Sequence, residues 1–314
     1  RWHHLRHPDM DAKIRRKLPT NFSEEPFFRY IEKRTMTKQT MEQNQSRSYH
    51  KVLTIAGSDS GGGAGIQADL KTISAIGCYG MSVITALTAQ NTQGVMGVHA
   101  VPPAFVADQI SAVFTDIGAD AIKIGMLYSA ELIETIATRL QAHGADNIVL
   151  DPVMVAQSGD RLVQDDAMDA MKKYLMPLAK VVTPNIPEAE LLIDDKLEGF
   201  DAICRGAAKL AGYGSPNILI KGGHARGNDS TDFLYLASEE RIKPLKGERI
   251  DTRNNHGTGC TLSSAIAAYI ARGHDVEAAV ENAKSYIEHA IRAGARYTIG
   301  QGHGPVHHFF QYWE

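Results

Sequence analysis

Val52-Leu53-Thr54-Ile55-Ala56, then Gly57-Ser58-Asp59-Ser60-Gly61-Gly62-Gly63-Ala64-Gly65, then Ile66, Leu70, Ile73 and Ile76 before Gly77: this stretch decides the fold. The short apolar run reads as a buried strand, the glycines as a loop, and the apolar spacing of three and four as one face of a helix that glycine ends. A strand that feeds a helix this way opens a βαβ unit, whose return strand runs parallel to the first.

The same alternation continues outward. Met81 to Leu87 reads as a second strand, and Pro102-Pro103 opens a helix with Val106, Ile110, Val113 and Ile117 on one side. Ala121 to Gly125 is a third strand, followed by a helix from Ser129 to Gly144. Asn147 to Val153, Val181 to Thr183 and Ile218 to Lys221 read as further buried strands, with a helix from Asp201 to Leu210 before the last. Thr231 to Ile250 departs from the alternation and reads as antiparallel edge strands, and two helices follow, from Thr258 and from Asp275. The expected fold is α/β, with a mostly parallel sheet and helices on both faces. Tyr49 to Glu314 reads as one domain. Residues 1–48, with Arg15-Arg16-Lys17, many polar residues and no sustained apolar period, read as an N-terminal extension, either disordered or a mis-set translation start.

Composition excludes several function classes. The 314 residues are 43% apolar and 22% charged, with a formal net charge of −3, which gives no basic field for nucleic acid. No apolar run approaches the roughly 20 residues that span a bilayer. Cys78, Cys204 and Cys260 are far apart and lack CxxC spacing, which points to a reducing cytoplasm and away from a disulfide framework or zinc.

In open parallel sheets, ligands bind beyond the carboxyl ends of the strands. Those ends carry the Gly57–Gly65 loop, Gln90, Gly125-Met126, Asp151-Pro152-Val153-Met154, Thr183-Pro184-Asn185-Ile186-Pro187-Glu188 and Lys221-Gly222-Gly223-His224. The first loop lacks the G-x-G-x-x-G register of a dinucleotide site and the G-x-x-x-x-G-K-[ST] of a P-loop, so it reads as a loop for close backbone contact with a small substrate. Asp59 and Asp69 are candidates for polar substrate contacts, and helix capping is the alternative for Asp59. Asp151 ends a strand and is poorly explained by core packing; with Glu188 it forms a candidate magnesium pair, though Asn185-x-x-Glu188 also has the form of a capping box. Lys221 is a candidate partner for a nucleotide phosphate or a snorkelling lysine. The Gln90 amide both donates and accepts, which suits a heterocycle with adjacent ring nitrogen and amine; a loop-capping role is the alternative.

The remaining candidate is Asn254-Asn255-His256-Gly257-Thr258-Gly259-Cys260-Thr261, a glycine turn directly before a helical pattern. The first amides of a helix lack internal partners and the dipole adds about half a positive charge, so Gly257, Thr258, Gly259 and Cys260 read as an anion hole for a phosphoryl group. The helix N-terminus is also expected to lower the Cys260 thiol pKa.

Together, Ala56 to Lys71, Thr88-Ala89-Gln90-Asn91-Thr92, Lys123 to Met126, Asp151 to Met154, Thr183 to Ala189, Lys221 to His224, His256 to Thr261 and Gly302-His303-Gly304-Pro305-Val306 closely resemble the bacterial hydroxymethylpyrimidine/phosphomethylpyrimidine kinases of thiamine biosynthesis, within the ribokinase-like superfamily. The resemblance covers Tyr49 to Trp313 and departs at Gly61, where the family commonly has serine. It implies a three-layer α/β/α sandwich and an ATP- and magnesium-dependent kinase that phosphorylates 4-amino-5-hydroxymethyl-2-methylpyrimidine and then its monophosphate. It further implies that Gln90 recognises the pyrimidine edge, with Gly57, Ala64, Met126 and Val153 lining that pocket. By the same resemblance Asp151 and Glu188 organise magnesium, Thr183, Asn185 and Lys221 lie along the nucleotide, and Gly257 to Cys260 form the anion hole. In the wider superfamily the Cys260 position is usually an aspartate base. The alternative substrate class is pyridoxal or pyridoxine, and a nucleotide-binding module without catalysis is the third reading. A homodimer through Thr231–Ile250 or the sheet edge is a further expectation.

Overall fold

The computed structural model describes residues 48–154, 164, 166–222 and 230–313. The expected extension up to residue 47, and Gly223 and His224 of the Lys221 motif, lie outside the described residues.

Strand β1 (Lys51–Asp59) leads through the glycine loop to α1 (Gly65–Ala75), as its sequence requires, and β2 (Tyr79–Asn91) returns parallel to β1. The chain continues through β3 (Gly94–Ala100), α2 (Pro103–Phe114), β4 (Ala121–Ile124), α3 (Ala130–Ala142) and β5 (Ile148–Leu150). A short helix α4 (Ala167–Ala170), wound on into π and 3-10 turns up to Leu178, precedes β6 (Ala179–Val182), α5 (Ile186–Ile193), α6 (Phe200–Ala211) and β7 (Asn217–Ile220). The hairpin β8 (Asp232–Leu236) and β9 (Arg241–Leu245) precedes α7 (Thr258–Ala271) and α8 (Val276–Gly294). Among the described residues, nine strands form one sheet, in the order β3-β2-β1-β4-β5-β6-β7-β8-β9. The six strands from β2 to β7 are parallel, and β3, β8 and β9 are antiparallel at the two edges.

Alternating side chains along the strands build the three layers. Leu53 and Ile55 pack with Ile110 of α2, Ile136 of α3 and Leu192 of α5, whereas Val52 packs with Ile73 of α1, Ile266 of α7 and Val280 of α8. The mostly parallel α/β sandwich is therefore as expected. Two parts differ. Strand β2 runs to Asn91 and pairs with β3, which was not foreseen, so Gln90 lies on a hairpin strand and not in a loop after one. The α4 segment was also not foreseen.

Strand β1 lies between β2 and β4, so the chain leaves β1 on one side and returns on the other. That reversal opens a crevice beyond the carboxyl ends of β1 and β4. Several helix starts follow the sequence closely: Ser129 caps α3, Asp275 caps α8, and Asn185 with Glu188 closes a full capping box on α5. Helices α1 and α7 open at the crevice without a side-chain cap.

Candidate active site

The glycine loop is held by one carboxylate. Asp59 accepts hydrogen bonds from the amides of Gly61 (2.7 Å), Gly63 (2.9 Å) and Ala64 (2.8 Å), and His256 Nε2 lies 3.0 Å from its Oδ2. Burial works against its charge, but the His256 bond and the Ala64 and Gly61 amides outweigh burial and hold its carboxyl below the usual carboxylate range. Asp59 thus ties the loop and leaves the first turn of α1 uncapped, so the capping alternative does not hold in its usual form. The loop also touches the start of α7. Gly257 has φ 79°, and a Cβ there would overlap the carbonyl oxygen of Gly63, so glycine is required on both counts.

Gly257, Thr258, Gly259 and Cys260 are half-buried at the N-terminus of α7. The Gly65 amide at the start of α1 approaches the Cys260 thiol, so two uncapped helix ends converge there. The expectation of a lowered Cys260 pKa is reversed. Burial pushes the thiol up to about 11; Lys123 opposes this, while Asp69 and Asp151 add to it. A helix dipole offers half a charge, and desolvation next to two carboxylates exceeds it here.

Beside this turn, Lys221 Nζ is 2.7 Å from Asp151 Oδ1 and 3.9 Å from Glu188 Oε2. Asp151 also accepts from Thr183 Oγ1 (3.2 Å) and Ser263 Oγ (3.1 Å). A Cβ on Gly259 would stand 3.5 Å from Lys221 Nζ and 3.7 Å from Asp151 Oδ2, so a group held at the α7 amides meets this cluster directly. Burial pushes Glu188 up to about 7; Lys221 lowers it, and Asp151 raises it further. Burial likewise opposes the charge of Asp151, yet Lys221 and Lys123 keep its carboxyl below the usual range. Asn185 donates its amide to Glu188 and accepts the Glu188 amide through its side chain, so the capping reading of this pair is realised. Thr183 is fully buried, with its hydroxyl on Asp151. Ser263 was not singled out in the sequence; nothing marks a serine one turn into a helix as a partner of a carboxylate 112 residues earlier.

The more surprising addition is Lys123, fully buried on β4. Its Nζ lies 3.0 and 2.9 Å from the two oxygens of Asp69, which also accept from Thr54 (2.6 Å) and Ser264 (2.7 Å). Burial disfavours the ammonium, but Asp69 and then Cys260 and Asp151 hold its pKa above the ordinary lysine value. Asp69 is therefore not placed as a substrate contact: it is fully buried and both oxygens are engaged inside the α1–sheet–α7 layer. Its interior role escaped the sequence because lysine almost never occupies a fully buried strand position unless paired.

The other end of the crevice holds Gln90. A β-bulge between Ala89 and Gln90 re-aims the strand. The Gln90 amide reaches both His256 Nε2 (3.2 Å) and Thr88 Oγ1 (3.3 Å). Gly57 and Met126 adjoin, since a Cβ on Gly57 would stand 2.8 Å from Met126 Cε. Ala64 is the N-cap residue of α1, and Val153 is half-buried two residues beyond Asp151. One row of strand ends thus carries Gln90, the glycine loop, Asp151 and Lys221, with Glu188 of α5 and Cys260 of α7 beside them.

The chain is similar to known proteins over most of its length. A sequence model described as phosphomethylpyrimidine kinase matches residues 59–307. The chain is 51% identical over 264 residues to a hydroxymethylpyrimidine/phosphomethylpyrimidine kinase of Rhizobium meliloti, covering 84% of this chain and 98% of that protein. It is 52% identical over 259 residues to the thiamine biosynthesis bifunctional protein ThiED of Geobacter sulfurreducens, covering 82% of this chain but only 52% of that longer protein. The crystal structure of a phosphomethylpyrimidine kinase from Clostridium difficile superposes with a TM-score of 0.69 at 46% identity, over 77% of this chain and 99% of that one. An ADP complex of Bacillus subtilis pyridoxal kinase gives 0.77 at 36% identity, over 84% and 99%. With a ribokinase-like fold and a family match across most of its length, the chain belongs to the phosphomethylpyrimidine kinase family.

Proposed function

We propose that this chain transfers the γ-phosphoryl group of ATP to the hydroxymethyl oxygen of 4-amino-5-hydroxymethyl-2-methylpyrimidine, and then a second phosphoryl group to the resulting monophosphate, as a cytoplasmic enzyme of thiamine biosynthesis. The observation that carries this reading is the open N-terminus of α7 beside the Asp151–Lys221–Glu188 cluster, on the same row of strand ends as Gln90. Phosphoryl transfer asks mainly for positioning and for positive potential around the equatorial oxygens. The amides of Gly257 to Cys260 and the ammonium of Lys221 supply that potential. Gln90, Gly57, Ala64, Met126 and Val153 are the proposed pyrimidine contacts, and Thr183, Asn185 and Lys221 line the proposed nucleotide side.

Magnesium fits this donor set in a limited sense. Among the described residues no cluster of three or more His, Cys, Asp or Glu side chains forms a protein-only cage. Magnesium accepts one or two carboxylates when phosphates and waters complete its shell, and Glu188 is a buried carboxyl short of counter-charge. Asp151 and Glu188 would hold the ion, which would neutralise charge on the transferring phosphates. With its thiol pushed up to about 11, Cys260 is neutral at physiological pH and contributes no negative charge beside two phosphates. That suits an acceptor that is itself a phosphate monoester, mostly ionised near neutrality.

ADP release measured with each acceptor tests the proposal. Turnover of the pyrimidine monophosphate supports it, and turnover of pyridoxal alone replaces it with the vitamin B6 reading. ATP binding without acceptor-dependent ADP release would leave only a nucleotide-binding module. Identities of 45 to 52% to enzymes of thiamine biosynthesis, against 36% to the Bacillus pyridoxal kinase, favour the pyrimidine. For a homodimer, β9 carries Arg241, Lys243 and Pro244, devices that blunt an edge, whereas Gly94 to Ala100 of β3 contains no acidic, lysine or arginine side chain. The β3 edge is thus the proposed contact between copies, which sedimentation of a Val98→Lys variant tests.

A further inference from the structure

The contacts of Gln90 contain a conflict whose resolution fixes how the pocket reads its substrate. Ser60 pins the Gln90 backbone in both directions: Gln90 N donates to Ser60 Oγ (2.8 Å) and Ser60 Oγ donates to Gln90 O (2.7 Å). Only the side-chain amide is left to choose an orientation. As placed, its Nε2 faces His256 Nε2 at 3.2 Å and its Oε1 faces Thr88 Oγ1 at 3.3 Å. His256 Nε2 also lies 3.0 Å from Asp59 Oδ2. Asp59 already receives three backbone amides, and these with His256 hold it ionised, so it can only accept. The proton between Asp59 and His256 must then sit on His256 Nε2, whatever the state of the other ring nitrogen. An amide NH2 facing that N–H sets donor against donor. On the other side, Thr88 has one hydroxyl proton, and the 2.8 Å contact to Ser58 O takes it. Its oxygen is left as an acceptor, opposite an amide oxygen that cannot donate.

Both conflicts vanish when the amide is turned over, a change between two nearly isosteric ends that hydrogen bonding decides. We propose that Asp59 and His256, together with Thr88, lock the Gln90 amide with its oxygen toward His256 and its nitrogen toward Thr88, and that this polarity makes the pocket select a heterocycle edge with its donor on the His256 side and its acceptor on the Thr88 side. His256 Nε2–H donates to Asp59 Oδ2 and the Gln90 oxygen; the Gln90 nitrogen donates to Thr88. One lone pair and one N–H of the amide stay free for the ligand. His256 and Asp59 are positioning residues, acting on the ligand through Gln90. A 4-aminopyrimidine offers adjacent donor and acceptor in one order, and its 4-oxo counterpart, with N3–H and O4, offers them reversed.

The inference rests on the pyrimidine kinase reading, and the experiment separates the two. kcat/KM is measured for 4-amino-5-hydroxymethyl-2-methylpyrimidine and for its 4-oxo analogue, with wild-type protein, His256→Leu, His256→Gln and Thr88→Val. A site with fixed hydrogen-bond polarity should prefer the amine by at least about a hundredfold. His256→Leu removes the lock, so the preference falls about tenfold or more, with part of the change a gain on the 4-oxo compound. His256→Gln returns an N–H near the place of Nε2 and restores the preference. Thr88→Val reports the other end of the same lock, independently of how His256 variants fold, and also narrows the preference. Equal losses on both compounds in His256→Leu and Thr88→Val, with the ratio unchanged, would mean that both residues only support the loop, and would overturn the inference. Wild-type protein that turns over neither pyrimidine overturns the functional reading instead.

Discussion

Alkylation of Cys260 across pH weighs burial against the helix dipole in one measurement. The perturbation is pH itself, applied to a Cys78→Ser, Cys204→Ser protein so that Cys260 is the single thiol. Its pKa is pushed up to about 11 from an ordinary 9.0. At pH 8 the thiolate share is then about one in a thousand, against about one in ten for an unperturbed thiol of that pKa, so ionisation alone slows iodoacetamide about a hundredfold relative to an unfolded control. The logarithm of the rate should climb with unit slope from pH 7 to pH 10 without a plateau. Lys123 is the charge that most lowers this pKa, so Lys123→Met should move the profile further to alkaline pH. A plateau below pH 9, or rates near those of the unfolded chain, would show that the end of α7 outweighs burial. It would also refute the account of Cys260 as a neutral group beside the phosphates.

Further outcomes follow from other parts of the site. Cys260→Asp, which adds a charge near Asp69 and Asp151, should impair phosphorylation of the monophosphate more than that of the alcohol; equal losses in separate single-turnover assays would contradict this. Glu188 is pushed up to about 7 from 4.5, so the folded chain holds that proton more tightly than the unfolded chain. Its contribution to stability is complete below about pH 4.5 and is lost as pH rises through 7, so ligand-free Tm should fall between pH 5.5 and 8, and Glu188→Gln should flatten that fall. Lys123→Met leaves Asp69 buried without its cation and should cost about 3–5 kcal/mol in denaturant unfolding, with Lys123→Met/Asp69→Asn less damaging than the sum of its parts. Gly257→Ala forces a Cβ into the Gly63 carbonyl at φ 79° and should cost on the order of 1–3 kcal/mol, while abolishing ADP release.

Much of the sheet was legible because each parallel strand is a compact apolar run with a glycine or proline nearby. Ala121 to Ile124 and the starts of α3, α7 and α8 fall where spacing and capping residues put them. Strand β3 was missed because Gly94 to Ala100 is short and largely exposed, and its alternating Met96, Val98 and Ala100 are spaced by Gly97 and His99, of which glycine is depleted in strands. In the site, strand ends pointed to Asp151, Glu188, Lys221 and Gln90, since polar residues there have few structural uses. Asp69 was misplaced for the opposite reason: its partners Thr54, Lys123 and Ser264 come from three separate elements, and no local pattern links them. Cys260 was found by its position, but the sign of its pKa shift depends on Asp69 and Asp151, which only the folded layer brings near.

The contacts that close the crevice join the two ends of the domain: Asp59 to His256 spans 197 residues, and Asp69 to Ser264 spans 195. The nine strands of the described residues are complete by Leu245, before any residue of α7 or α8 has been made. A growing chain can therefore assemble its entire sheet while the face of Val52, Val149, Val181 and Leu219 still waits for two of its three helices. Pairing at such sequence separation is slow to form, and an uncovered apolar face is prone to association meanwhile. Competence as a phosphotransferase should then appear in the last step of folding, and chains stopped near residue 250 should bind hydrophobic dyes and chaperones while retaining most of their strands.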